Sequence, residues 1–505
     1  MTRPRLLPSL FFLYVAVLFG GTAILQAGLF ERDGYFHARI AHMLFDRGIS
    51  RTFPWTQLST WRLQFCDKEF LYHLGMMPFT RIGSDPILGA RIYATLLSVA
   101  VLGALYFLLR SQRIRWPLFF TALPLAAGGL FIARLGMIRS HVLSMLLLIV
   151  GIHFLLRRNW KGLLWLGFLY AWCYTMPFVL VMTAVPFVLG FWAAQGSLDW
   201  RAPGAAGLGS VLGLALHPYS PLTLETFLTY VQVFRIGMQG AGRSGLELGN
   251  ELYPYALSVF FDVYPLILIL VPLVVIVTVL LALRRRKVAP ETWGLLAALL
   301  FWFGMTLASP RFAEYSVLLL TVATAFVVRD AWPELETLFS RRKHLGWGAA
   351  WLAWGLLLAF HLRSMGLTLA PFGFTTFYVH YQSKAAPPRF FKGAAAWMGG
   401  HLAPGETVIN LYWDDFPDLF YDGYRQHYIW GLDPTYSLRA DQDKTLWLER
   451  MRRGESPLDG ARLAAAFDSR YLILRASRAG SYPALHHAPF REVYRDASSV
   501  LYHID

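Results

Sequence analysis

The chain has 505 residues, 56% of them hydrophobic and only 15% charged, with a formal net charge of +15. A soluble protein would carry about a quarter charged residues. The deficit falls in long apolar runs, so the composition excludes an ordinary soluble enzyme and indicates a polytopic membrane protein. The positive charge lies in short clusters between those runs, the pattern of orientation signals rather than of a nucleic-acid-binding surface.

In chain order, Arg3 and Arg5 precede an apolar core of about twenty residues, which reads as a retained anchor rather than a cleaved signal. Further apolar runs complete a set of spans near 6–28, 86–110, 117–133, 141–156, 162–176, 177–194, 204–217, 255–283, 292–308, 315–328 and 346–366. With a cytoplasmic N-terminus, every second connection is basic: Arg110 to Arg115, Arg157 to Lys161, Arg201, Arg284 to Lys287 and Arg341 to Lys343. That alternation is what the positive-inside rule demands. It predicts a mostly α-helical transmembrane bundle of about 11 spans over residues 1–366, with a long first outer loop at 29–85. The tail, 367–505, then lies outside, in the periplasm if the membrane is a bacterial inner one.

The tail has a different composition. A helix-like PRFFKGAAAWMGGHL leads through a PGE turn to a strand-like TVINLYW. Later come a helix in SPLDGARLAAAF, a strand in RYLILR and the closing VLYHID, an alternation that predicts a small α/β domain. Neither G-x-G-x-x-G nor a P-loop is present, so nucleotide binding has no support. Two cysteines, Cys66 and Cys173, have no metal-ligand spacing, and whether they pair is left open by the sequence.

The unusual polar residues fall in the outside connections. Asp33 and His37 are four apart, as are Glu69 and His73, so on helices each acid shares a face with its histidine. Asp33 also stands where a helix N-cap is expected. Asp67 and Glu69 are either a solvated loop pair or part of a site. Arg139 and His141 lie in RLGMIRSHVLS, where an arginine either snorkels to headgroups or binds phosphate. Arg311, in LASPRFAEY between two apolar spans, needs a partner, either Glu314 or an anionic ligand held bidentately. Carboxylates, histidines and arginines converging on one face suit transfer of a sugar from a lipid-linked phosphate. The phosphate meets arginine or a metal, and a carboxylate takes the acceptor's proton as it attacks the anomeric carbon. Direct displacement of this kind inverts the anomeric centre.

At these residues the chain resembles the GT-C superfamily of integral-membrane glycosyltransferases, and in layout the catalytic subunits of oligosaccharyltransferases. DGYFHAR at 33–39 is similar to the family's Asp-Pro-Tyr-Tyr-His-x-Arg motif, which makes Asp33 the essential aspartate. GNELYPY at 249–255 falls in the loop that carries a functional glutamate, matched by Glu251, with Glu247 a weaker choice. RFAEY at 311–315 resembles the Arg-Phe-x-x-Tyr segment whose arginine faces the substrate. AAAWMGGHLAPGETVINLYWDDF resembles the entry to the soluble domain and its Trp-Trp-Asp-Tyr-Gly signature. Here the signature is Tyr412-Trp413-Asp414-Asp415, so recognition of an Asn-x-Ser/Thr acceptor is not implied. The second acidic motif is replaced by Arg139-Ser140-His141, so the oligosaccharyltransferase metal site is not intact. A divalent ion, Mg²⁺ or Mn²⁺, would need Asp33 and Glu251 with other ligands. Protein mannosyltransferases and aminoarabinose transferases, also similar, rely on loop carboxylates, a part Asp67 or Glu69 would play.

The expected function is therefore an inverting glycosyltransferase at the outer face of the inner membrane. It moves a sugar from a polyprenyl-phosphate-linked donor to a glycan, lipid or protein acceptor. Asp33 is the expected catalytic residue, assisted by Asp67 or Glu69, with His37 and His73 orienting it or handling protons. Arg311, Arg139, His141, Arg39 and Tyr315 are expected at the donor phosphate, and Glu251, Trp413, Asp414 and Asp415 at the acceptor. The alternatives are a transporter or flippase for lipid-linked glycans and a polymerase or ligase of unrelated fold. One-sided clustering of the polar residues, the long first loop and the tail domain speak against both.

Overall fold

In a computed structural model, residues 6–25, 28–29, 31–239, 245–365 and 389–505 are described. They group into two compact units. The helical unit comprises Met1–Gln26, Arg91–Leu216 and Tyr253–Ala385, and the mixed unit Ala27–Ala90, His217–Leu252 and Ala386–Asp505. The domain boundary expected at 366/367 lies outside the described residues.

The helical unit is built from the apolar runs. Pro86–Ser111, Pro265–Leu283, Pro290–Ala308, Pro310–Arg341 and His344–Met365 are each long and apolar enough to cross a bilayer. Leu6–Gly21, Ser140–Leu156 and Val179–Gln195 are shorter apolar helices. On the last long helix Trp347, Trp351 and Leu352 stand exposed. Apolar faces of that kind are stable only against hydrocarbon or a partner, and the chain is an integral membrane protein.

Two of the expected spans are interrupted. The run expected at 117–133 is a bent pair, Pro117–Ala126 and Gly129–Leu135, meeting at 103°. The break is at Gly128, whose φ of +152° and approach to the Val263 carbonyl leave no room for a side chain: a Cβ would lie 1.9 Å from that oxygen. The run expected at 255–283 divides into Leu257–Val263 and Pro265–Leu283, because Pro265 has no N–H to continue the first helix and suits the first turn of the second. The span expected at 315–328 continues as a helix to Arg341. Its polar extension is held by partners rather than by apolar burial. Asp330 accepts from the Ala289 N–H (2.9 Å) and the Thr292 hydroxyl (2.6 Å), and Glu334 pairs with Arg286 at 2.7 Å. Helices Trp160–Cys173 and Arg201–Ala215 cross closely at Gly209, where a Cβ would stand 2.0 Å from the Leu164 carbonyl, the small-residue contact typical of membrane helices.

The mixed unit contains a five-stranded sheet. Its strands are β1 Thr407–Asn410, β2 His427–Tyr428, β3 Tyr471–Arg475, β4 Phe490–Arg495 and β5 Ser499–Ile504, in the order β2-β1-β3-β5-β4. The β2-β1-β3 part is parallel and the β3-β5-β4 part antiparallel. The first connection is laced to the β2 edge. The Gln57 N–H donates to the Tyr428 carbonyl (2.8 Å) and the Tyr428 N–H to the Trp55 carbonyl (2.9 Å), so the short edge strand is covered. Leu58 enters the same core as Ile409, Trp430, Leu472 and Val500. The 217–252 segment is tied in by Glu225 to Arg439 at 3.3 Å. The tail domain is thus one packed body with two connections far away in sequence.

Asn410 ends β1 and is fully buried. Its Nδ2 donates to the Trp430 carbonyl (2.8 Å), and its Oδ1 accepts from the Ile429 N–H (3.0 Å). Asn410→Leu leaves both backbone groups without that partner, at about 1–3 kcal/mol each. The expected result is a clear fall in the thermal unfolding midpoint of the full chain, measured by differential scanning fluorimetry in detergent. Cys66 and Cys173 are both buried and free.

Candidate active site

Asp33 opens a 15-residue helix, Asp33–Arg47. Arg32, rather than Asp33, occupies the capping position, and it makes no side-chain cap bond. Arg32 instead pairs with Asp418 at 3.3 Å and stacks on Phe390, which ties the head of the helix to the tail domain's Phe416–Asp422 helix. Asp33 is left in the first turn, half-buried, where the helix dipole favours a carboxylate anion. Its N–H donates to Glu31 at 3.3 Å.

One turn further on, His37 is buried and meets the second acid–histidine pair. Its Nδ1 is 2.9 Å from His73 Nε2 and 3.5 Å from Glu69 Oε2. His73 Nδ1 lies 2.8 and 2.9 Å from the two oxygens of Asp67. His73 belongs to the short helix Phe70–Met76, with Glu69 at its N-cap, and the Glu69 N–H donates to Asp67 at 3.1 Å. The spacing of four predicted acid–histidine contacts within each stretch. Across stretches His37 meets His73 and Glu69, and within the second His73 takes Asp67 as its acid. Burial alone would hold the His73 imidazole below its usual range; Asp67, by charge and hydrogen bond, and then Glu69 outweigh it and raise the value. Phe36 and Tyr72 wall the pair, and Lys68, between the two acids, donates to the Tyr230 hydroxyl.

Arg39 stacks on Tyr421 and Tyr424, at 4.8 and 4.6 Å, and donates to the Tyr421 carbonyl. Arg389, which the sequence did not single out, bridges Asp85 (3.1 Å) and Asp422 (3.2 Å) beside it. Burial pushes the Asp422 carboxyl up to about 6, against the pull of Arg389.

The tail signature forms a turn, Trp413–Asp415. Arg478 donates to both Asp414 oxygens, at 3.0 and 2.6 Å, and to Asp415 at 3.0 Å, while Arg475 pairs with both acids. Asp415 is buried and its carboxyl is pushed up to about 7 by that burial. Asp414, though burial opposes it, is held low by Arg478 and Arg475. Glu251 lies half-buried in the turn Asn250–Leu252. Glu247, the weaker choice, is paired with Arg452, which also holds Glu449 at 2.7 Å.

In the helical unit, Arg311 lies in the turn Pro310–Phe312, half-buried, directly before the helix that carries Glu314 and Tyr315. Glu314 is held by Arg134, whose Nε and Nη2 are both 2.8 Å from its Oε2. His141 Nε2 lies 2.8 Å from the Arg134 carbonyl, and Arg139 precedes the Ser140–Leu156 helix as its N-cap residue. Tyr315 is fully buried with its hydroxyl 2.8 Å from Ser144, which also contacts the Tyr170 hydroxyl at 2.7 Å. No local pattern marked Arg475, Arg478 or Arg389, because each meets its acids 33 or more residues away along the chain.

Among the described residues, the histidines, cysteines and carboxylates that converge as three or more possible metal ligands are His37, Glu69 and His73. Asp33 and Glu251 are not in that group.

No protein-family model matches the chain, and no curated protein does. Solved structures do. ArnT from Cupriavidus metallidurans, bound to undecaprenyl phosphate, aligns over 98% of this chain and 97% of its own, with 14% identity and a TM-score of 0.56. The Archaeoglobus fulgidus oligosaccharyltransferase, tethered to an acceptor peptide, aligns over 98% of this chain and 74% of its own, with 12% identity and a TM-score of 0.53. The mycobacterial arabinofuranosyltransferase AftD aligns over 97% of this chain and 40% of its own, with 13% identity and a TM-score of 0.53. At such identities the likeness speaks for architecture, and by architecture the chain has the GT-C fold.

Proposed function

We propose that the protein is an inverting glycosyltransferase that takes a sugar from a polyprenyl-phosphate-linked donor and passes it to a glycan, lipid or protein acceptor. The reaction takes place at the outer face of the inner membrane, with the N-terminus cytoplasmic and the tail domain periplasmic. The observation that carries this reading is the extent of the structural likeness. It spans the membrane helices, the first connection and the tail domain together, and one of the similar proteins holds undecaprenyl phosphate.

In this reaction the acceptor oxygen attacks the anomeric carbon as the bond to the lipid phosphate breaks. Asp33 takes the acceptor's proton, and the lipid phosphate leaves with the bonding pair. Arg311 and Arg139 neutralise that phosphate, where a guanidinium stays charged and can bind two oxygens at once. The His37–His73–Asp67–Glu69 array holds the helix that Asp33 opens. Glu251 and Trp413 address the acceptor. Oxygen donors such as Asp33 and Glu251 suit Mg²⁺ or Mn²⁺, but neither belongs to the group of convergent ligands among the described residues, and no step is assigned to a metal there.

The test is donor turnover. Purified protein should release polyprenyl phosphate from a polyprenyl-phosphate sugar in the presence of an acceptor extract, followed by thin-layer chromatography of the labelled lipid. Failure to bind undecaprenyl phosphate at all, by native mass spectrometry, would remove the proposal. Within it, Arg311→Ala is expected to weaken lipid-phosphate binding by about 10- to 150-fold, the loss of one charged hydrogen-bonding group of about 1.5–3 kcal/mol. Acceptor KM should be unchanged, and an unchanged lipid-phosphate Kd would assign Arg311 a structural part instead.

A further inference from the structure

We propose that His37, His73 and Glu69 form a binding site for one divalent transition-metal ion of the zinc class, with Asp67 orienting His73 from behind. The three ligand atoms lie within 4.8 Å of one another. A tetrahedral zinc ion with bonds of about 2.0–2.1 Å holds its ligand atoms about 3.3 Å apart. The separations here, 2.9 Å for His37 to His73 and 3.5 Å for His37 to Glu69, bracket that edge length. Two of the three ligand separations thus lie close to those of a tetrahedral site.

The arrangement behind the ligands points the same way. A metal-binding histidine usually gives its other ring nitrogen to a carboxylate, which fixes the tautomer and makes the ligating nitrogen more basic. His73 does this: Nδ1 faces Asp67 at 2.8 Å, and Nε2 is turned toward His37 and the shared point. All three ligands are buried, with 6%, 1% and 8% of their surfaces exposed for His37, His73 and Glu69, so an ion would be shielded from competing water. Two imidazoles and one carboxylate favour zinc, cobalt or nickel over magnesium, calcium or manganese, which prefer all-oxygen sets. Three protein ligands leave the fourth tetrahedral position to a single bound water.

Such an ion would join the Asp33–Arg47 helix to the Phe70–Met76 helix. Its ligand His37 follows Asp33, the residue that opens the first of them, by four residues, about one helical turn. The ion's part is to position that helix, and the site stands independently of whether the protein transfers sugars.

The full chain, purified in detergent without chelators and supplied with Zn²⁺, is expected to retain about one equivalent of zinc by inductively coupled plasma mass spectrometry. Replacement by Co²⁺ should give the visible absorption of a tetrahedral site. His37→Ala and His73→Ala should lose the metal. Asp67→Asn should retain it with an affinity lower by about 10- to 100-fold. Because those variants could misfold, the wild-type chain gives a second reading: EDTA should lower its unfolding temperature, and Zn²⁺ but not Mg²⁺ should restore it. Absence of zinc and of a cobalt spectrum in the wild-type protein would overturn the proposal. So would equal metal content in the wild type and the His37→Ala/His73→Ala double variant, or restoration by Mg²⁺ alone. Metal content is measured without turnover, so a failure here is distinct from a failure of the glycosyltransferase reading.

Discussion

Asp33→Asn is expected to leave the protein folded and to slow sugar transfer by about 10²–10⁴-fold, the usual contribution of a positioned general base. The amide has the shape of the carboxylate but cannot take a proton, so the loss belongs to the step in which the acceptor oxygen attacks. The folding cost is small. Asp33 sits half-buried in the first turn of its helix, where exchanging a charge for a neutral group forfeits about 0.3–1 kcal/mol of dipole interaction. Steady-state kinetics with a polyprenyl-phosphate sugar should show a fall in kcat, with undecaprenyl phosphate binding as in the wild type. Asp67→Asn offers the contrast. That carboxylate is spent on His73, so its loss should disturb the histidine pair and act through position, with a smaller effect on kcat. A fully active Asp33→Asn protein, or an Asp67→Asn protein that is the more severely impaired, would move the base to Asp67 or Glu69.

The apolar helices were legible because membrane insertion selects apolar runs, but of the 11 expected spans only five described helices, or six with the bent pair, are long and apolar enough to cross. Where the backbone breaks was less legible. At Gly128 the cause is a close approach to the Val263 carbonyl, a contact between segments far apart in sequence. In the tail, TVIN, RYLIL and VLYHI read as strands because buried β-branched and apolar residues dominate them. The two-residue β2 escaped because it is too short to show a period, and β4 because half of FREVYR is exposed and charged. The same logic divides the site. The helix that Asp33 opens was legible from a local motif. The meeting of His37 with His73 was not, since 36 residues separate them and nothing in either stretch encodes the other. Asp414 and Asp415 were read as acceptor-facing acids, and the structure surrounds them with Arg475 and Arg478, contributed by β3 and the turn after it. A pair of adjacent acids announces a need for cations without saying whether the protein or a ligand supplies them.

Arg134→Met is expected to be among the most destabilising single substitutions in the helical unit, by about 3–5 kcal/mol. Arg134 and Glu314 are 4% and 0% exposed, with two guanidinium nitrogens at 2.8 Å from one carboxylate oxygen. Removing the cation takes from Glu314 the guanidinium 2.8 Å from its carboxylate, in a buried setting where water cannot replace it. The position of Glu314 in the first turn of its helix softens this by the dipole, about 0.3–1 kcal/mol, which is too little to compensate. Replacing both partners, Arg134→Met with Glu314→Leu, removes the two desolvation costs together and should recover most of the stability. The double-mutant cycle therefore has a defined signature: two strongly destabilised single variants and a double variant near the wild type, read from thermal unfolding in detergent. The Arg134 carbonyl also meets His141 and so joins the pair to the Ser140–Leu156 helix that Arg139 precedes. The recovered double variant consequently separates two roles. If it folds and still binds undecaprenyl phosphate, the ion pair serves only to hold the helices; if it folds and binding is lost, the pair also fixes the arginines proposed to meet the donor.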